Sequence, residues 1–440
     1  MWSRAVAAAR GFAWIARAYL LDRERRAALI AAAAPPPRIS PPEVHPAQHV
    51  APAPDPLPAA ESPYSGLTPY STSMLRLVRE DRPPAVNLVL PEVDPGGIFA
   101  GVRTALEVGR LCARRDGAPL RLLLLKSIDA DDRAQRLTAI RQRIAELGVE
   151  ADVIACDVLE RHPVGTADRW IATHWWTAHA LDVAARSGLI DPTSVLYLVQ
   201  DYEPGFVGWS TDSAVAASTY GAGFTALANS TPVARHLEHE GHGAPAAVFA
   251  PALDVAELEA AAARRRRSDR ARIFFYARPS KPRNLFGLGV AALRLAIRRS
   301  AEQGVPIEIV TAGEPIGQHA IPGARFEDLG TLRREEYFAM LSRVDLGLTL
   351  QASPHPSHPP LELAVSGARA VVNDVDGQRG RLHPRITAAP ASPDALADAI
   401  VTGARAVLAD DAPSRYAPLA PLALGDDLPT ALMHALAPRP

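Results

Sequence analysis

Three clusters of polar residues stand where apolar, strand-like runs end. The first, Ala277-Arg278-Pro279-Ser280-Lys281-Pro282-Arg283-Asn284, follows the apolar run 273–276 and precedes a helix-forming stretch. Cations delivered there suit a diphosphate, because guanidinium forks bind phosphate oxygens in pairs and a helix N-terminus adds its positive end. A solvated basic turn has the same composition. The second cluster, Ser353-Pro354-His355-Pro356-Ser357-His358-Pro359-Pro360-Leu361-Glu362, follows the run 346–350 and enters a helix. Glu362 could accept hydrogen bonds from a sugar or ribose hydroxyl while neighbouring amides hold phosphate. No further His, Cys or acidic residue accompanies His355 and His358 at ligand spacing, so they read as hydrogen-bond donors and not as metal ligands. The third cluster is Tyr197-Leu198-Val199-Gln200-Asp201-Tyr202-Glu203-Pro204-Gly205-Phe206. Asp201 and Glu203 could orient an acceptor hydroxyl or serve as a base, with Tyr202 stacking on a sugar face. Alternatively the carboxylates cap the turn. Trp175 and Trp176, at another strand end, are acceptor-side candidates, with core packing the other reading for one of them.

Two further patterns bear on the chemistry. Asp129-Ala130-Asp131 and Asp374-Val375-Asp376 fit the short DxD pattern that holds a metal diphosphate elsewhere. Three-residue patterns recur by chance, and Asp129 stands where a helix N-cap is expected. Gly96 and Gly97, after the first apolar run, would let a loop approach a ligand closely, since a side chain there would block it.

The elements that must position these groups alternate. Strands are predicted at 85–91, 120–125, 151–155, 170–173, 195–200 and 224–228, with helices at 131–147, at 176–187 and from 232. The pattern restarts after the basic run Arg264–Arg267, read as a solvated helix end. Strands follow at 273–276, 307–311, 346–350 and 370–372, with helices at 285–300, 334–343 and 360–366. Such alternation with apolar strands predicts parallel sheets covered by helices, and two runs predict two Rossmann-like lobes. Ligands of such sheets collect at the carboxyl ends of the strands. The expected division is a helical segment 1–33, a Pro-rich linker 34–83, an acceptor-side lobe 84–262, a nucleotide-binding lobe 263–410 and a tail 411–440.

A chain of 440 residues that is 48% hydrophobic can build two cores. A net charge of −1 gives no basic face for nucleic acid. Cys112 and Cys156 form no CxxC pair, which excludes a disulfide framework and fits a reducing compartment. Arg4, Arg10 and Arg17 interrupt the apolar N-terminus before it reaches signal-peptide length. No run is long enough to span a membrane, so a cytoplasmic protein is expected. Segment 1–33 would pack on a domain or a partner, or lie on the inner membrane face as a basic helix.

The C-terminal clusters resemble those of retaining family-4 glycosyltransferases of the GT-B fold. There a strand ends in Gly-Arg-Leu with a second basic residue shortly after, matched here by Ala277-Arg278-Pro279 and Arg283. A later Glu-x7-Glu motif is matched by Glu362, but Pro354 occupies the position of the first glutamate. Together the strings YLVQDYEPGF, FYARP and SPHPSHPPLE resemble the WsaF-type rhamnosyltransferases over most of 85–385. The resemblance implies two lobes facing a central cleft, no metal cofactor and a nucleotide-sugar donor, dTDP-β-L-rhamnose. The acceptor would be a glycan or lipid-linked glycan of the bacterial surface. It further implies that Arg278 and Arg283 neutralise the departing diphosphate and that Glu362 holds the (deoxy)ribose. Gly330 and Leu332 would line the nucleobase pocket, and His355 and Ser357 would replace the usual glycine-rich backbone against phosphate or sugar. Two rival functions share these features: a nucleotide-sugar 2-epimerase, and a non-catalytic nucleotide- or glycan-binding protein, which the proline at 354 favours.

Overall fold

The computed structural model of the chain describes residues 62–440, except 95–99, 127, 129–130, 157–160, 318–320, 322, 324, 413 and 438–440. All described residues belong to one unit, Pro56–Pro440. The expected helix 1–33, Gly96, Gly97 and Asp129 lie outside the described residues.

The first lobe runs β1 (Leu77–Glu80), β2 (Val86–Leu90), α1 (Ala100–Asp116), β3 (Leu120–Leu124), α2 (Arg133–Glu146) and β4 (Asp152–Ala155). It continues with β5 (His162–Gly165), β6 (Arg169–Ala172), α3 (Trp175–Arg186), β7 (Val195–Val199), α4 (Thr211–Ser218), β8 (Thr225–Asn229), α5 (Thr231–His239) and β9 (Ala247–Phe249). The second lobe begins with α6 (Val255–Arg264), β10 (Ala271–Ala277), α7 (Phe286–Glu302), β11 (Ile307–Gly313), β12 (Phe326–Asp328), α8 (Arg334–Leu341) and β13 (Leu346–Thr349). After it come α9 (His358–Val365), β14 (Arg369–Asn373), β15 (Ile386–Ala389), α10 (Pro393–Ala409) and α11 (Leu428–Ala435).

Strands β2, β3 and β7 are buried at every position, as parallel strands covered by helices on both faces must be. The first sheet has the order β4-β3-β2-β6-β7-β8-β9 and the second β12-β11-β10-β13-β14-β15. Every pairing between them is parallel. Each sheet buries an apolar cluster on either face. The fold is GT-B, two Rossmann-like lobes. In each, the order reverses beside the first strand, between β2 and β6 and between β10 and β13. Loops leaving the carboxyl ends of such a strand pair diverge and leave a crevice.

Three expected boundaries move. The linker does not extend to residue 83: Met74, Leu75 and Leu77 enter the first lobe's core, and β1 pairs with β5. Prolines thin out there while apolar side chains return, so burial offsets the entropy of ordering the segment. Helix α6 packs with the second lobe through Leu258 and Ala261, so the crossing lies before it and not at 262. Residues 411–440 are not a loose tail, because α11 returns to the first lobe and buries Ala431, Leu432 and Ala435. Its N-cap Asp427 accepts from the Thr430 amide at 3.0 Å. Arg265 also departs from the solvated reading: it is buried and donates to the carbonyls of Leu341 (2.8 Å), Ser366 (2.9 Å) and Val344.

Candidate active site

The switch point between β10 and β13 brings two of the three polar clusters together. The Ala352 amide donates to the Arg283 carbonyl at 2.7 Å, and Asn284 Nδ2 donates to the Leu350 carbonyl at 3.3 Å. The segment after β13 is held from below by Arg379, which is buried and donates to the carbonyls of Ser353 and of His355 (3.3 Å). It also bonds Asn373 Oδ1 at 3.0 Å. Burial lowers the Arg379 guanidinium to about 10, and Asp201, Asp374 and Asp376 support its charge.

The third cluster meets them from the opposite lobe. Asp201 is buried; its Oδ2 accepts from Ser353 Oγ at 2.9 Å. Its Oδ1 accepts from the amides of Tyr202 at 2.9 Å and His355 at 3.4 Å. Burial raises its pKa, while these donors and Arg283 pull it down. Both oxygens are therefore engaged by protein, and Asp201 joins the lobes. Arg283 reaches back across the same junction, its guanidinium 4.7 Å from the ring centre of Phe206. A second link pairs His236 Nδ1 with Asp376 Oδ2 at 2.6 Å. That contact occupies the second aspartate of the DxD string.

His355 is buried, and desolvation lowers its imidazole to about 3. It is neutral, and Nδ1 accepts from the Ser357 amide at 3.0 Å, which leaves the proton on Nε2. Ser357 precedes α9 with φ 65° and ψ 158°, a backbone region otherwise left to glycine. Glu362 lies on α9, 9% exposed, and accepts from the Tyr337 hydroxyl at 2.5 Å. Burial raises its pKa against that bond and the nearby His358 and Arg334.

A cleft of about 690 Å³ opens beside Glu362. The second lobe contributes Tyr337, His358 and Asp254 to its lining, and the first lobe contributes Arg103, Glu107 and Asn229.

Other expected residues stand apart from these contacts. Arg278 directly follows β10, half-buried, 3.7 Å from Glu314 and 3.4 Å from the Tyr276 hydroxyl. Gly330 has φ 58° and its carbonyl accepts from the Gly313 amide at 2.9 Å, while Leu332 packs on the second lobe's core. Trp175 is buried against Val215 and Ala216. Its amide donates to Glu203 Oε2, so Glu203 caps the start of α3. Trp176 is half-buried and meets Tyr70 edge-on at 5.2 Å. Trp175 and Glu203 thus serve as core and cap, the alternatives open at each position. Tyr202 meets His236 edge-on at 4.5 Å.

Tyr337, Arg379 and Asn229 carry no signal in the sequence, and Ser353 is marked there only as part of its cluster. Tyr337 sits on the helix after the Gly330 segment, and a tyrosine one turn along a helix carries no signal of its own. Among the described residues, His236, His239 and Glu240 form the one group close enough to share an ion. Cys112 and Cys156 are both buried, and neither is in a disulfide. No helix among the described residues is long and apolar enough to cross a membrane.

Known proteins align with this arrangement. Residues 85–230 match the family described as WsaF, N-terminal domain, and residues 271–401 match WsaF, C-terminal domain. The O-antigen biosynthesis protein RfbC of Myxococcus xanthus is 34% identical over 285 residues, covering 63% of this chain and 21% of that protein. The chain thus spans about a fifth of the length of the curated relative it matches. Sucrose-phosphate synthase of Thermosynechococcus elongatus superposes with TM-score 0.44 at 12% identity, covering 74% of this chain and 92% of that one. A glycosyltransferase of Rickettsia africae gives TM-score 0.43 at 11% identity over 80% and 93% of the two chains. Both halves of one family, matched in order on the two lobes, identify the chain as a member of the WsaF family.

Proposed function

We propose that this chain transfers a sugar, L-rhamnose from dTDP-β-L-rhamnose, with retention of configuration, onto a glycan or lipid-linked glycan of a bacterial surface polysaccharide. The observation that carries the proposal is the convergence of the β10 and β13 loops with the start of α9. They bring Arg283 beside the segment that carries His355 and Ser357, and α9 carries Glu362 from there into the lining of an inter-lobe cleft. Arg278, the residue after β10, adds a second guanidinium.

In this reading the bond from the anomeric carbon to the diphosphate breaks and a bond to the acceptor oxygen forms. Charge accumulates on the leaving diphosphate, where Arg278, Arg283 and the N-terminus of α9 stabilise it. Glu362, fixed by Tyr337, accepts hydrogen bonds from the pentose. Gly330 and Leu332 border the base. Asp201 acts by positioning: it ties the His355 segment to the first lobe beside Arg283. No metal takes part, and segment 1–33 would offer peripheral membrane contact. The name of the Myxococcus relative supports a surface-glycan acceptor.

Metal-free calorimetric titration with dTDP, UDP and GDP tests the donor. Preference for dTDP, lost in Arg278→Ala, is expected. Preference for UDP or GDP refutes rhamnose, and binding of none refutes the transferase site as drawn.

A further inference from the structure

Strand β8 ends at Asn229, and Ser230 alone separates it from α5. Asn229 is 6% exposed and contributes, from the first lobe, to the lining of the inter-lobe cleft that also holds Glu362. Among the described residues its Oδ1 has no hydrogen-bond partner, and neither has Oγ of the fully buried Ser230. Buried oxygens without a partner are rare in folded proteins, because burial strips their water and nothing replaces it.

The backbone marks the same place. Ser230 holds φ 103° and ψ 156°, where a side chain is strained. Ser357, at the corresponding step before α9 in the other lobe, holds φ 65° and ψ 158°. Proline follows within the first two helical positions in both. Strain of this kind persists where the surroundings enforce it, and each serine adjoins a residue that lines the cleft, Asn229 and His358.

The lining decides the ligand chemistry. Glu362, Asp254 and Glu107 are acceptors when ionised, and the donors of the lining, Arg103, Arg334, Tyr337 and His358, make no hydrogen bond to Asn229 Oδ1. The partner must bring its own donor, and a hydroxyl supplies one.

We propose that Asn229 Oδ1 accepts a hydrogen bond from a hydroxyl of the nucleotide-sugar, so that the first lobe grips the donor opposite Glu362. The inference rests on the donor reading above. The hydroxyl belongs either to the pentose or to the transferred sugar, and the two are separable by choice of ligand.

The test compares the wild-type chain with Asn229→Val by calorimetry with dTDP, UDP and dTDP-β-L-rhamnose, and by thermal unfolding without ligand. Losing an oxygen that has no partner leaves the unliganded melting temperature unchanged or raised, which a purely structural asparagine would not do. Binding weakens about tenfold, the equivalent of one hydrogen bond. Weakening for all three ligands assigns the pentose hydroxyl; weakening confined to the nucleotide-sugar assigns the sugar. Equal affinities in both proteins overturn the inference while leaving the donor reading intact. A wild-type chain that binds none of the three overturns both. Asn229→Ala adds no bulk to the strand and carries the same expectation should the valine variant not fold.

Discussion

Glu203 offers a prediction with a sign and a size. Its carboxyl is 6% exposed and accepts from the Trp175 amide at the head of α3. Burial, reinforced by Asp201, pushes it from an ordinary 4.5 up to about 8, against the opposing pull of the Trp175 amide and Arg283. The folded chain therefore keeps a proton there that the unfolded chain releases. Stability falls as pH rises from the unfolded value and levels off above the folded one. Between about pH 6 and about pH 8 the loss is about 2 kcal/mol, from 1.36 kcal/mol per unit with the curve flattening near the upper end. At roughly 2–4 °C per kcal/mol for a domain of this size, the melting temperature drops by about 5 °C. Glu203→Gln keeps a carbonyl for the Trp175 amide and cannot ionise. Its melting temperature should fall about 5 °C less than wild type over that interval. Melting curves by circular dichroism at half-unit steps provide the comparison. Asp201 titrates in both proteins, so the difference isolates Glu203. Parallel curves would refute the claim that the folded chain keeps Glu203 protonated.

Tyr337→Phe removes the hydroxyl that steadies Glu362; nucleotide affinity should fall about fivefold, near 1 kcal/mol, with the melting temperature little changed. Arg265→Ala strips donors from three buried carbonyls at the ends of α8 and α9 and should cost about 3 kcal/mol in urea unfolding. Gly313→Ala would force a Cβ to within 2.2 Å of the Ala277 carbonyl at φ 132°, displacing the strand end that carries Arg278. A loss of about 2 kcal/mol or more is expected, with nucleotide binding weakened in the same titration.

What could be read beforehand follows from what each signal depends on. Val195–Val199 and Leu120–Leu124 announce buried parallel strands because the pattern is local. Yet Arg121, inside that second run, is buried beside Asp168 at 3.5 Å. Asp168 in turn accepts from the Ala85 amide at 2.8 Å and from Asn87 at 3.0 Å. Such a knot joins residues some eighty positions apart, and no periodicity records it. The same holds at the site. That Arg283 follows a strand and Glu362 enters a helix can be read from the sequence, because both positions are set by local pattern. The contacts of Asp201 cannot be read that way, since its partners Ser353 and His355 lie on the other lobe. Short strands such as β5 and β12 carry too few residues for an alternation to register, and α10 went unassigned although Ser392 and Pro393 mark its start.

The return of α11 to the first lobe has a consequence for synthesis. Chains grow from the N-terminus, and domains ordinarily fold as they emerge. Here the first lobe's core includes Ala431, Leu432 and Ala435, which leave the ribosome after the whole second lobe. Until then one apolar face beside Phe249 has no cover. The nascent first lobe must wait, incompletely sealed, through the translation of nearly two hundred further residues (Phe249 to Leu432). Its exposed face is a natural point of chaperone engagement, and C-terminal truncation would harm the lobe made first.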